Sequence, residues 1–97
     1  MLPDLPDYES RLAQLRDQID EVDVILAENL LRRLQLADKI GGLKARTGDP
    51  SMSNSRQAEI LHKLSKPFPE LHPSEIHDVW QTLFKLSIAR QQQIIEK

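Results

Sequence analysis

Two cations bracket the stretch RLQLADKIGGLK, which runs from Arg33 to Lys44. On a continuous helix they are about three turns apart, so both project from nearly the same face. Arg33 occupies a position in an otherwise apolar seam. Its neighbours one turn away are Asn29, Leu30, Leu36 and Ala37, none of them acidic. A partly buried guanidinium there needs an anion from another segment, another chain or a ligand. Lys44 also fits the commoner role of a cation beside a helix C-terminus. Further along, an apolar stripe that includes Trp80 and Phe84 turns polar at Ser87 and Gln91. Arg16 has Asp20 four residues on, the spacing of a surface ion pair, and Arg56 has Glu59 three residues on. Cations and neutral hydrogen-bonding groups around an apolar core suit a small polyanion, a dicarboxylate in particular. They suit a reaction driven by positioning and electrostatics rather than by proton shuttling.

Other chemistries find little support. His62, His72 and His77 lack metal-ligand spacing and read as surface or capping residues. The chain contains no cysteine, so thiol nucleophiles, thiolate metal sites and disulfides are excluded. No nucleophile–base arrangement is visible. Aromatic residues make up 4% of the chain and the net charge is −2, which argues against a nucleic-acid partner. The 97 residues, 39% hydrophobic and 29% charged, predict one small domain spanning 1–97. The start, MLPDLPDYESRL, is acidic and broken by prolines, unlike a signal peptide, and residues 1–7 are expected to be flexible. No apolar run is long enough to cross a membrane, so a cytoplasmic location is the expectation.

The elements that position these residues lie between the prolines. About Tyr8–Arg46 carries a heptad seam: Leu12, Leu15, Ile19, Val22, Leu26, Asn29, Arg33, Leu36, Ile40 and Leu43. Thr47-Gly48-Asp49-Pro50 ends this helix with turn chemistry. A short helix follows over about Asn54–Ser65, capped by Ser53 or Asn54. A third starts near Pro73. The fold class is all-α, three helices with a very long first one. At 1.5 Å per residue that helix would be roughly 58 Å long, well beyond the diameter of a compact chain this size. Its N-terminal seam would be uncovered, which predicts an intertwined homodimer. A break at Gly41-Gly42 would instead give a four-helix monomer. The two glycines cost about 1 kcal/mol each relative to alanine, which suggests a kink or close approach of another backbone or a ligand.

The segment LRDQIDEVDVILAENLLRRLQLADKIGGLKARTG resembles the first helix of the all-α (type II) chorismate mutases. SRQAEIL resembles the start of their second helix and SIARQ the polar end of their third. The spacing from Arg16 to Arg33 to Lys44, then Arg56, then Ser87 with Gln91, is specific as a set. The resemblance implies a domain-swapped homodimer with two equivalent sites. Each would take Arg16 from the partner's long helix and Arg33, Lys44, Arg56, Ser87 and Gln91 from the other protomer. It implies the Claisen rearrangement of chorismate to prephenate, on the way to phenylalanine and tyrosine, with no cofactor or metal. The arginines would clamp the two carboxylates, Ser87 would bind a carboxylate or orient the substrate, and Lys44 and Gln91 would stabilise the ether oxygen. Two positions depart from the family pattern. Gln57 stands where a glutamate usually follows the second-helix arginine, and Ser53 where an aspartate often stands. In the mutases those acids accept from the ring hydroxyl; Gln57 and Ser53 are neutral acceptors. The alternatives are an isochorismate–pyruvate lyase of salicylate biosynthesis on the same fold, or a catalytically degenerate helical dimerisation module. For the last, Asn29 in the seam would fix register.

Overall fold

A computed structural model describes residues 7–48 and 53–95, with only the backbone at Ile95. The flexible segment expected at 1–7 lies, apart from Asp7, outside the described residues, as do Asp49 and Pro50. Three helices follow in order: α1, Tyr8–Thr47; α2, Asn54–Ser65; and α3, Pro73–Ile95. Among the described residues there is no strand. No helix among them is long and apolar enough to cross a membrane.

Helix α1 is continuous through Gly41 and Gly42, so the alternative break does not occur. It starts beside Asp7, whose carbonyl accepts from Arg11 N–H at 2.8 Å and whose carboxylate meets Arg11 Nε at 2.6 Å. It ends at Gly48, at φ +79°, whose N–H donates to the Lys44 carbonyl at 2.8 Å. Glycine adopts that left-handed conformation without a Cβ penalty, and the bond satisfies a last-turn carbonyl. Ser53 is the cap of α2: its backbone is extended and its Oγ accepts from Arg56 N–H at 3.2 Å. His72 caps α3. Its own N–H donates to Glu75 Oε1 at 2.8 Å, while its Nδ1 accepts from Ser74 N–H at 3.2 Å. This is a reciprocal capping arrangement, followed by proline at the first helical position.

The chain divides into two compact units, residues 1–32 and 33–97. In the first, the described residues belong to α1 save Asp7. Leu15, Ile19, Val22 and Leu26 are 54–60% exposed there. In the second, α2 packs against α3. The end of α1 meets α3 through Arg33 with Ser87, Asp38 with Arg90, and Gly41 with Gln91. The core holds Ala37, Ile76 and Phe84, together with two polar side chains, Ser87 and Gln91, at 1% and 2% exposure. The face of α1 buried in this unit is therefore Ala37 and Gly41. The heptad positions Leu36, Ile40 and Leu43 stay exposed. Small residues let the helices approach closely, which the larger seam leucines would prevent.

Candidate functional site

The stripe on α3 that begins with Ile76 runs through Phe84 to Ser87 and Gln91, at steps that keep one helical face. Its polar end therefore enters the core instead of meeting solvent. Opposite lies the Arg33 end of α1, and beside it the first turns of α2. These three elements line an open cavity of about 180 Å³, bounded by Arg33, Leu36, Ala37, Ile40, Arg56, Ile60, Ser87 and Gln91. Among the described residues the lining contains two guanidiniums and no carboxylate.

Arg33 is half-buried. Its Nη1 donates to Ser87 Oγ at 2.6 Å, and its guanidinium carbon sits 5.9 Å from the centre of the Phe84 ring. Ser87 Oγ in turn donates to the Leu83 carbonyl at 2.8 Å. The hydroxyl proton is thus committed to the backbone, and the oxygen orients Arg33. Both Arg33 contacts are neutral groups, and among the described residues no carboxylate pairs with it. Burial holds the Arg33 pKa below its ordinary value, and the nearby Arg56 charge lowers it further. Both influences disfavour the charged form, and an anion bound in the cavity would offset them.

Arg56 is exposed and lines the same cavity. Its Nη1 meets Glu59 Oε1 at 2.5 Å, and Lys63 Nζ reaches the same oxygen at 3.3 Å. The hydrogen bond from Lys63, then the Lys63 and Arg56 charges, hold the Glu59 carboxyl below its ordinary range. The Gln91 side chain is 2% exposed, and its Oε1 is buried without a hydrogen-bond partner. A buried amide oxygen left unpaired costs about 1–3 kcal/mol, which a bound donor would recover. Rotating the amide by half a turn would instead place its NH₂ group there.

Of the residues singled out in the sequence, Arg33, Arg56, Ser87 and Gln91 come together around the cavity. Lys44 is half-buried, one turn beyond Gly41, and is not part of the lining. Gln57 is half-buried and Ser53 exposed; neither lines the cavity, and the Ser53 hydroxyl is engaged as the α2 cap. Arg16 is exposed in the first unit, in an open surface pocket with Tyr8, Glu9, Leu12, Ala13 and Asp17. The sequence did not single out the walls Leu36, Ala37, Ile40 and Ile60 as site residues, nor the Asp38–Arg90 ion pair at 2.9 Å. Ala37 and Gly41, small residues one turn apart, were the available sign of a close helix contact. The ion pair joins two helices far apart in sequence and left no local sign.

Comparison with known proteins gives a family-model match and a curated relative. A family model described as Chorismate mutase type II matches residues 15–92, a span that contains Arg16, Gln91 and every candidate residue between them. A T-protein of Enterobacter agglomerans is 36% identical over 80 residues, which are 80% of this chain and 21% of that protein. The chain thus spans about a fifth of the length of that curated relative. No solved structure shows a significant match. With the family model covering most of the chain, and the cationic cavity built from residues inside the matched span, the protein belongs to the chorismate mutase type II family.

Proposed function

We propose that this protein is a chorismate mutase that converts chorismate to prephenate, a step towards phenylalanine and tyrosine. The observation that carries this reading is a cavity lined by two guanidiniums and, among the described residues, no carboxylate, with the Gln91 amide in its wall. The substrate is a dianion. Arg33, held by the Ser87 hydroxyl and the Phe84 ring, takes one carboxylate. Arg56, with an arginine from a second copy, takes the other, for which its bond to Glu59 must open or be shared. Fixing both ends folds the substrate so that the two carbons to be joined face each other. One C–C bond then forms as the ether C–O bond breaks within the same molecule. No proton or electron is exchanged with the protein. Negative charge grows on the ether oxygen; the Gln91 NH₂ group, once the amide is turned so that it and not Oε1 faces the substrate, and the Lys44 ammonium, reaching in from outside the lining of the single chain, stabilise it.

The protein acts as a homodimer, with Arg16 of a second copy completing each site. The support is twofold. The cavity of about 180 Å³ is smaller than the roughly 300 Å³ at which ligand pockets usually begin. The seam of Leu15, Ile19, Val22 and Leu26 is exposed in one chain, and burying each such side chain is worth about 1.5–3 kcal/mol.

One observation favours a second reading. Among the described residues no acid lines the cavity, Gln57 is neutral, and Ser53 is engaged in capping α2. The hydroxyl end of chorismate would therefore meet a weaker acceptor than a carboxylate. Isochorismate carries its hydroxyl elsewhere on the ring, so an isochorismate–pyruvate lyase would not need those acids. Incubation with each compound separates the readings. Prephenate from chorismate supports the mutase; salicylate and pyruvate from isochorismate support the lyase. Turnover of neither would overturn both.

A further inference from the structure

We propose that Gly41 and the Asp38–Arg90 ion pair are positioning residues that together hold the Gln91 amide at the cavity wall. A Cβ added at Gly41 would lie 3.0 Å from Gln91 Cα and 3.4 Å from Gln91 Cβ and Cγ. The closest of these is backbone, so it cannot swing aside as the end of a flexible side chain would. Gly41 thus sets how near α3 comes to α1 at Gln91 itself. The ion pair lies beside this contact. Asp38 is one turn before Gly41, Arg90 immediately precedes Gln91, and Arg90 Nη1 reaches Asp38 Oδ2 at 2.9 Å. The glycine fixes the spacing of the helices, and the ion pair opposes sliding of one along the other. Gln91 Oε1 has no hydrogen-bond partner, so no bond at that atom fixes the amide. Its position depends on where the α3 backbone and packing place it. Gly42 serves as an internal control, since a Cβ there meets nothing within 4 Å.

The inference rests on the proposed reading that the Gln91 amide faces the reacting ether oxygen, and its test has an arm independent of turnover. The side-chain amide resonances of Gln91 are followed by NMR in the full chain, alongside kcat and KM for chorismate. Gly41→Ala is expected to move those resonances and to lower kcat about tenfold or more while KM stays within about twofold. Gly42→Ala is expected to leave both at wild-type values. In a Gln91→Ala background, Gly41→Ala should lower kcat little further, because the group it positions is gone. Asp38→Asn is the second variant should Gly41→Ala fail to fold. It is expected to shift the same resonances and lower kcat about threefold, again without further effect when Gln91 is absent. Unshifted resonances with wild-type kcat would overturn the proposal. So would an equal loss of kcat in the presence and absence of Gln91, the mark of a general structural role. Failure of the wild type to turn over chorismate would overturn the functional reading alone, and the resonances would then decide the positioning role.

Discussion

Arg33 shows how a single residue can be read before its site is known. It sits in an apolar seam without an acidic neighbour along the helix, and among the described residues its partners are a hydroxyl and an aromatic ring. Replacing it with alanine removes the proposed carboxylate clamp and should raise KM and lower kcat. Lysine, unable to bind a carboxylate through two parallel bonds, should recover only part of the loss. Gln91→Leu keeps most of the packing volume and removes the proposed donor; kcat is expected to fall about 10²–10³-fold, measured as prephenate formation. Gln57→Glu tests the hydroxyl end. It should raise mutase activity if that end is merely weakened. A fall would mean that Gln57 is adapted to a different ligand.

At the scale of elements, the cavity depends on how the end of α1 lies against α3. The two glycines of α1 separate into distinct roles. Gly41 meets α3, whereas Gly42 faces nothing within 4 Å and is helical. Gly42→Ala is therefore expected to stabilise the fold by about 0.4–1 kcal/mol, read as a higher Tm. On α2, Glu59 links Arg56 and Lys63. Its folded pKa lies below the ordinary value of 4.5, so its contribution is present above that value and lost as pH falls through the folded pKa. Glu59→Gln should remove this acid-side component, seen as a shallower loss of helical circular dichroism below pH 4.5 than in the wild type.

At the scale of the whole molecule, the question is whether Arg16 reaches a site in another chain. The solution mass should be that of a dimer at micromolar concentration, and Leu26→Glu, which places a charge in the exposed seam, should weaken it. Complementation gives a more specific test. Arg16→Ala and Lys44→Ala should each abolish most activity on its own. In a re-equilibrated equal mixture, half the dimers are mixed and one of their two sites is intact, so about a quarter of wild-type activity should return. Two variants that remain inactive when mixed would show that Arg16 acts within its own chain or not at all.

The sequence by itself determined the elements and singled out four polar residues that line the cavity, Arg33, Arg56, Ser87 and Gln91. Proline placement and the apolar repeat located three helices, because these signals are local and follow the period of the helix. The cations, the absence of cysteine and the polar end of the third stripe pointed to anion binding without a nucleophile. Local patterns could not say which face of α1 would be used within the chain. The heptad seam was the stronger signal, yet Ala37 and Gly41 are the residues buried against the rest of the second unit, and Leu36, Ile40 and Leu43 stay exposed. Nor could they show that Ser53 is engaged as a cap, or that Asp38 and Arg90 pair across helices. Those outcomes follow from close approach and hydrogen-bond geometry between segments distant in sequence, which only the tertiary structure decides.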